Sequence, residues 1–253
     1  MVRRRNPLDR FVTGPWFRAP GVWGDGEGHA LSDDDRAALA QFARIVRFAK
    51  GETIYRDGAA AESVFNITSG MAKAYADGRG EAHITCFLFP GDLFGLALEG
   101  RYVNTVVAVT PLTAYRLPVS RIESRIYRRP DFDYVAICKL CHELREAQRH
   151  GVLLSRKSAT ARMAMFLQIM QAHQTLQAHQ GVQAHQGAGE AVGLPMSRGD
   201  IAAYTGLTPE AVTRALQALA RGGAIDLPDL RHVTIRDPAL LAGATAEAKP
   251  REK

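Results

Sequence analysis

The hydrophobic periodicity of the chain changes along its length, and this change limits the folds that the chain can adopt. Between Phe48 and Pro118, short β-branched and aromatic runs alternate with a period of two, and glycines separate them. Such runs predict the strands of an antiparallel β-roll or jelly roll. Residues 120–173 return to the spacing of three and four residues that is typical of helices. The order predicts an α+β chain in which a β-roll precedes a helical region.

The segment before the β-region divides into an irregular arm and a helix. Residues 1–30 are rich in Gly, Pro, Trp and Arg, which favours irregular structure. Residues 31–45 carry Ser32 and Asp35 at the positions of a capping box, which predicts the start of an amphipathic helix. The apolar stripe of this helix consists of Leu39, Phe42 and Ile45.

An apolar seam runs along the helical region. Its residues alternate in spacings of three and four, as in a heptad repeat: Ile137, Leu140, Leu144, Ala147, Gly151 and Leu154. A one-sided seam on a long helix indicates a second helix as its partner. We therefore predict a homodimer; the alternative is that the seam packs on its own domain.

A repeated tetrapeptide follows that seam. QAHQ occurs at Gln171, Gln177 and Gln183. The six-residue spacing rotates each successive histidine by about 600° around a helix, so the three histidines do not share one face. We predict no metal site here and assign residues 171–190 to a solvated, His/Gln-rich loop.

Residues 196–219 have the pattern of helix, tight turn and helix. Ser197 with Asp200 caps the first helix, and Thr208 caps the second. Gly206 supplies the turn between them. The inward positions of the second helix are Val212, Leu216 and Leu219. This spacing predicts a helix-turn-helix.

The outer face near the start of the second helix carries Glu210, Thr213 and Arg214. An arginine can donate two hydrogen bonds to guanine, a glutamate can accept from cytosine, and a threonine can pair with a base or contact a thymine methyl group. In isolation, an arginine and a glutamate four residues apart usually form a solvated ion pair. The helix-turn-helix pattern around them favours base reading instead.

The residues after the second helix support that interpretation. Two short strands at 224–227 and 232–235, joined by a turn, are the pattern of a wing. Arg198 beside the first cap, and Arg221 and Arg231 near the wing, are candidates for phosphate contacts. The predicted DNA-binding residues are Ser197, Arg198, Thr208, Glu210, Thr213 and Arg214.

Composition limits the remaining classes of protein. The net charge of +6 favours an anionic partner. The basic start lacks the apolar run of a secretory signal, and Pro90, Gly91 and Asp92 interrupt the longest apolar stretch. Three cysteines are too few for a disulfide framework. We predict a cytoplasmic protein without a membrane partner.

The chain resembles the CRP/FNR family of bacterial transcription regulators over about residues 30 to 240. The family's sensor domain has glycines at the turns between its strands. The same pattern occurs here in KGETIYRDG, ITSG and PGDLFG. Glu210, Thr213 and Arg214 match the E-x-x-S-R pattern of the FNR and FixK branch, with Thr in place of Ser. The resemblance implies a homodimer that binds double-stranded DNA at an inverted repeat similar to TTGAT-N4-ATCAA, and that acts with RNA polymerase.

The resemblance also implies an order of domains. We expect an irregular arm at 1–30, a cyclic-nucleotide-binding-like jelly roll at 31–130, a dimerisation helix at 131–155, a winged helix-turn-helix domain at 156–240 and a tail at 241–253.

The family's cyclic-nucleotide pocket uses a Gly-Glu pair for the ribose and an Arg-Ser or Arg-Thr pair for the phosphate. The corresponding places here are Gly95-Leu96 and Asn104-Thr105. Without the arginine, a buried cyclic phosphate would be poorly compensated. Residues 1–30 contain no cysteine, which excludes the iron-sulfur cluster of the oxygen-sensing branch. We expect a degenerate pocket that does not bind cAMP, no cofactor, and an unidentified effector or none.

Other interpretations involve cysteine and histidine. Cys138 and Cys141 lie three residues apart on the predicted dimer helix, where they either pack as small apolar side chains or act in redox sensing or metal binding. His83 and His142 are the candidate ligands for a haem. A metal enzyme of the cupin type shares the β-roll but requires an H-x-H motif, and no second histidine follows His83 at that spacing.

Overall fold

The computed structural model describes residues 39–76, 83–95, 97–126, 130–179 and 191–245. They divide into two compact units. The first contains residues 39–76, 86–95, 97–126 and 130–146, and the second contains residues 83–85, 147–179 and 191–245. The predicted arm, the cap at Ser32 and Asp35, and Leu96 lie outside the described residues.

The described residues between Arg44 and Pro118 form antiparallel strands. In chain order they are β1 (Arg44–Phe48), β2 (Thr53–Tyr55), β3 (Ser63–Ser69), β4 (Ala72–Ala76), β5 (His83–Leu88), β6 (Leu93–Phe94), β7 (Ala97–Leu98), β8 (Arg101–Tyr102), β9 (Thr105–Ala108) and β10 (Leu112–Pro118). One sheet has the order β1-β10-β3-β6, another has the order β2-β9-β4-β5, and β7 pairs with β8. The predicted β-roll is confirmed.

Aromatic rings fill the interior of this β-roll. Tyr55 and Tyr102 stack with ring centroids 3.8 Å apart, and Phe65 stacks on Phe94 at 5.3 Å. The Tyr102 hydroxyl donates to the carbonyl oxygen of Ser63 at 2.7 Å. Burial raises the pKa of Tyr102, so its phenol stays protonated and keeps donating near neutral pH.

The prediction that an amphipathic helix extends to Ile45 is wrong. The chain turns just after Ala40, with the Phe42 amide bonded to the Leu39 carbonyl. Ile45 lies in β1, opposite Tyr115 of β10. The reason is that Val46 and Phe48, two residues apart, pack against the β-roll core, and this period of two outweighs the helical spacing of the residues before it.

The helices and the remaining strands follow the β-roll. They are α1 (Val119–Ile126), α2 (Pro130–Ser155), α3 (Ala159–His179), β11 (Ala191–Gly193), α4 (Arg198–Thr205), α5 (Pro209–Arg221), β12 (Ile225–Asp226), β13 (His232–Ile235) and α6 (Pro238–Thr245). In the second unit, α3 packs on α5 and α6, and the strands form a sheet in the order β11-β13-β12. This is the predicted winged helix-turn-helix.

Two predicted boundaries are wrong in the second unit. The loop assigned to 171–190 is helical as far as His179, because α3 continues through the first QAHQ tetrapeptide, and residues 180–190 lie outside the described residues. The tail assigned to 241–253 begins too early. Its first residues belong to α6, where Leu241 is buried in a helix that packs on α3.

Across the described ranges, no helix combines the length and the apolar character that a bilayer crossing requires.

We predict that Gly70→Ala destabilises the β-roll by roughly 2–4 kcal/mol. Gly70 has φ +85°, and an added Cβ would lie 2.2 Å from the Pro111 carbonyl oxygen, so the backbone must shift. Gly51→Ala is the matched control, since Gly51 has φ +83° but open space around its Cβ position. The measurement is urea unfolding of both variants. Equal losses of stability would mean that backbone strain, and not the Pro111 contact, requires glycine at position 70.

Candidate functional site

The helix-turn-helix is fixed by the local bonds that its sequence predicts. The Ser197 hydroxyl accepts from the Asp200 amide at 3.0 Å, and the Asp200 carboxylate accepts from the Ser197 amide at 3.1 Å, which completes a capping box. Gly206 ends α4 in the left-handed region with φ 63°. The Thr208 hydroxyl then accepts from the Ala211 amide at 3.2 Å, so α5 starts where predicted.

The two faces of α5 differ as the sequence suggests. Its inward residues are buried: Val212, Ala215, Leu216 and Leu219. Glu210, Thr213 and Arg214 are exposed on the other side. The three candidate base-reading residues therefore lie together on an open helix face, while the apolar side anchors the helix.

The Glu210 carboxylate is held in its charged form. A hydrogen bond from its own backbone amide lowers its pKa most, a hydrogen bond from the Thr208 side chain adds to this, and the charge of Arg214 contributes less. As an ionised carboxylate, Glu210 can only accept hydrogen bonds. Thr208 thus orients Glu210 as well as capping the helix.

The Thr213 hydroxyl is already engaged within α5. It donates to the Pro209 carbonyl oxygen at 3.0 Å. A threonine in this state can offer a partner its methyl group and the lone pairs of its oxygen, but its hydroxyl hydrogen is occupied. This limits the chemistry that Thr213 can use toward a base.

The candidate phosphate contacts differ in exposure. Arg221 and Arg231 are exposed, at the end of α5 and in the wing turn. Arg198 is partly buried, and burial lowers its pKa. Its Nη1 atom is buried without a hydrogen-bond partner among the described residues. A buried guanidinium edge lacking a partner is costly unless an anion binds there.

An aspartate organises the turn of the wing. One carboxylate oxygen of Asp229 accepts from the amides of Arg231 and His232 at 2.6 and 2.8 Å. Its other oxygen lies 2.8 Å from Nδ1 of His232. The hydrogen bond from the His232 side chain is the main reason that the pKa of Asp229 is lowered. The wing is thus held in a defined turn from within.

The wing has a third strand that sequence reasoning missed. β11 pairs with β13, from Ala191 opposite Thr234 to Gly193 opposite His232. The side-chain amide of Gln174 in α3 donates to the Gly193 carbonyl oxygen at 2.8 Å and accepts from the Gly193 amide at 3.1 Å. Gln174 belongs to the first QAHQ tetrapeptide, so this part of the repeat has a structural partner. A strand of three residues, one of them a glycine, gives little sequence signal.

The predicted seam lies on α2, and much of it is exposed in the single chain. Leu140 and Leu144 are 60% and 61% exposed, and Leu154 is 40% exposed. Ala147 and Gly151 are also exposed. The side chain of Ile137 lies outside the described residues. A leucine-bearing face this open is unusual on a helix unless a partner covers it.

The residues predicted for the effector pocket are used by the β-roll itself. Gly95 has φ +89°, and a Cβ there would meet the Ser63 carbonyl oxygen at 3.0 Å. Thr105 is buried, and its hydroxyl accepts from the Asp57 amide at 3.0 Å. Asn104 is partly buried in the bend before β9. None of the three described residues at these positions, Gly95, Asn104 and Thr105, carries a positive charge.

The structure describes only some of the cysteines and histidines that were considered for redox sensing, metal binding or haem binding. Cys141 and His83 are exposed, whereas the side chains of Cys138 and His142 lie outside the described residues. Within the described ranges, no three His, Cys, Asp or Glu side chains come together as a metal site would require.

Comparison with known families identifies two domains in this order. Residues 45–128 match the cyclic nucleotide-binding domain family, and residues 161–244 match the Crp-like helix-turn-helix domain family.

Curated proteins and a solved structure are similar to this chain over most of its length. The nitrogen fixation regulation protein FixK of Bradyrhizobium diazoefficiens is 35% identical over 222 residues, which cover 84% of this chain and 87% of that protein. The transcriptional activator protein FnrA of Stutzerimonas stutzeri is 31% identical over 227 residues, covering 87% and 89%. The structure of FixK2 from Bradyrhizobium japonicum superposes with a TM-score of 0.72 at 29% identity, covering 82% of this chain and 99% of that one.

Proposed function

Because this chain belongs to the CRP/FNR family of DNA-binding transcription regulators, we propose that it reads an inverted repeat through α5. The proposal rests on the exposed trio on that helix: Glu210 is ionised, the Thr213 hydroxyl donates to the Pro209 carbonyl oxygen, and Arg214 is exposed. In helix-turn-helix proteins, the second helix enters the major groove with its first residues toward the bases.

We assign a separate role to each reading residue. Arg214 donates two hydrogen bonds to the guanine of a TTGAT half-site, and Glu210 accepts from the adjacent base pair. Thr213 turns its methyl group toward the outer thymines, because its hydroxyl hydrogen is used by Pro209. The resemblance of Glu210, Thr213 and Arg214 to the E-x-x-S-R pattern of the FNR and FixK branch favours a site similar to TTGAT-N4-ATCAA.

Phosphate contacts position the domain on the duplex in this proposal. Arg198 is suited to a phosphate because its side chain is partly exposed and carries a positive charge at the amino end of α4. The amino end of α4 and the hydroxyl of Ser197 lie beside it. Arg221 and Arg231 extend the contact toward the wing.

A homodimer joined through α2 presents two reading helices to the two half-sites. The exposed leucine face of α2 supports this arrangement, since two such faces bury each other in a coiled coil. CRP/FNR regulators act as dimers, and a twofold dimer matches an inverted repeat. Bound in the cytoplasm beside a promoter, such a dimer can contact RNA polymerase.

We propose that the β-roll does not use cAMP as its effector. The described residues at the family's ribose and phosphate positions include Asn104 in place of the arginine. A cyclic phosphate bound beside Asn104 would lose its water without gaining the cation that the family's arginine supplies.

The first of three predictions from this proposal concerns base reading. Arg214→Ala should cost about 1–3 kcal/mol per half-site and flatten the preference at the guanine, because two hydrogen bonds to one base are lost. Arg221→Ala is the matched control: it should weaken all duplexes alike and reduce the salt slope by about one. Competition binding with single-base operator variants measures both effects. An unchanged ranking of operators in Arg214→Ala would refute base reading by this residue.

The second prediction concerns the dimer. Leu144→Glu should yield monomers, because it would place two carboxylates in an apolar interface. Gln148→Glu adds the same charge to an exposed position outside the seam and should leave the dimer intact. Light scattering gives the mass of each variant. A dimeric Leu144→Glu protein would show that the seam is not the interface.

The third prediction concerns the effector. Titration calorimetry should show no cAMP binding up to about 1 mM, which corresponds to less than about 4 kcal/mol of binding free energy. cAMP should also leave operator affinity unchanged. Binding of cAMP in the micromolar range would refute the proposal that the pocket has lost its affinity for cAMP.

A further inference from the structure

The carbonyl groups at the end of α4 are bonded from outside the helix-turn-helix. His150 of α2 places Nε2 2.7 Å from the Tyr204 carbonyl oxygen, and because a carbonyl cannot donate, Nε2 carries the hydrogen. Arg162 of α3 donates through Nη1 to the next two carbonyls, those of Thr205 and Gly206, at 3.1 and 2.9 Å. These carbonyls belong to the last turn of α4, where a helix leaves acceptors without intrahelical partners.

Aromatic ring contacts also hold the end of α4. The His150 imidazole stacks on the Tyr204 ring with centroids 4.1 Å apart and an interplanar angle of 10°. Phe166 of α3 contacts the Tyr204 ring at 5.7 Å and 58°. Arg162 also donates from Nε to the Arg156 carbonyl oxygen at 2.7 Å, just after α2 ends. The end of α4 is therefore held to α2 and α3 through directional contacts as well as apolar ones.

His150 lies at the end of α2 that carries the apolar seam. His150 directly precedes Gly151 of the seam and lies between Ala147 and Leu154 along the helix. Leu154 also reaches the turn, since a Cβ on Gly206 would lie 3.2 Å from its Cδ2 atom. The helix end that carries the seam is thus bonded to the turn that begins the reading helix.

We propose that His150 is a positioning residue for DNA recognition, which sets the orientation of the helix-turn-helix on α2 and thereby the operator spacing that the dimer accepts. The inference rests on the proposed dimeric reading of an inverted repeat. Each extra base pair moves one half-site by about 3.4 Å along the duplex and about 35° around it. A rigidly held pair of reading helices fits one spacing, and a loosely held pair tolerates several.

The experiment compares operators that differ only in the spacer between TTGAT and ATCAA, with three, four or five base pairs. The variants are His150→Ala, which removes ring and donor, His150→Phe, which keeps a ring, and His150→Gln, which keeps a donor. Gln148→Ala, at an exposed position two residues away, is the matched control. Competition binding gives the preference of each protein for four base pairs, and light scattering checks that each stays dimeric.

The wild type should prefer one spacing, and His150→Ala should reduce that preference by about fivefold to thirtyfold, the effect of one hydrogen bond and one ring contact. His150→Phe and His150→Gln should fall between them, and Gln148→Ala should match the wild type. The ranking of bases within a half-site should not change, because α5 itself is intact. A merely structural role would lower affinity for all spacings equally.

Two failures are distinguishable. A wild type without any spacing preference overturns the proposed reading of an inverted repeat and the positioning role with it. A wild-type preference that all folded His150 variants retain overturns the positioning role alone. Should His150→Ala not fold, His150→Phe and His150→Gln decide the matter in the same assay.

Discussion

The turn between α4 and α5 is the constraint on which the recognition surface depends. Gly206 adopts φ 63° there, and an added Cβ would meet Nη1 of Arg162 at 3.1 Å as well as Leu154. The left-handed backbone favours glycine at this position, and an added Cβ would also require the Arg162 and Leu154 side chains to move by a few tenths of an ångström. Once this turn forms, the cap at Thr208 starts α5, and the burial of Val212 fixes which face of α5 remains open.

The same constraint explains why the exposed face can be devoted to recognition. Stability of α5 comes from its cap and its buried side, so the outer residues are not needed for folding. Glu210 gains its low pKa from local donors at the amino end of the helix and only a smaller part from Arg214. Arg214 is therefore not consumed by a strong local ion pair, and its guanidinium can serve a partner.

The helix-turn-helix could be predicted because its signals are local in sequence. The features that could not be predicted depend on contacts between residues far apart in the chain. The capping residues and Gly206 act within four residues of themselves, so their effect is readable from sequence. β11 is different, because Gln174 holds it from a distant helix. The helix expected through Ile45 failed for a related reason: pairing of β1 with β10 determines that segment. His150 gave no signal, since its partner Tyr204 lies 54 residues away.

The β-roll suggests how a sensor fold can be kept ordered without a nucleotide. The Tyr55 hydroxyl is hydrogen-bonded to the backbone of Gly95, and the Tyr102 hydroxyl is bonded to Ser63. Both rings are stacked together in the core, and burial raises the pKa of each. In the proposed function, cAMP has no role, so internal bonds must order this end of the β-roll. Both phenols stay protonated near neutral pH, so the bonds that they make to Gly95 and Ser63 persist across that range.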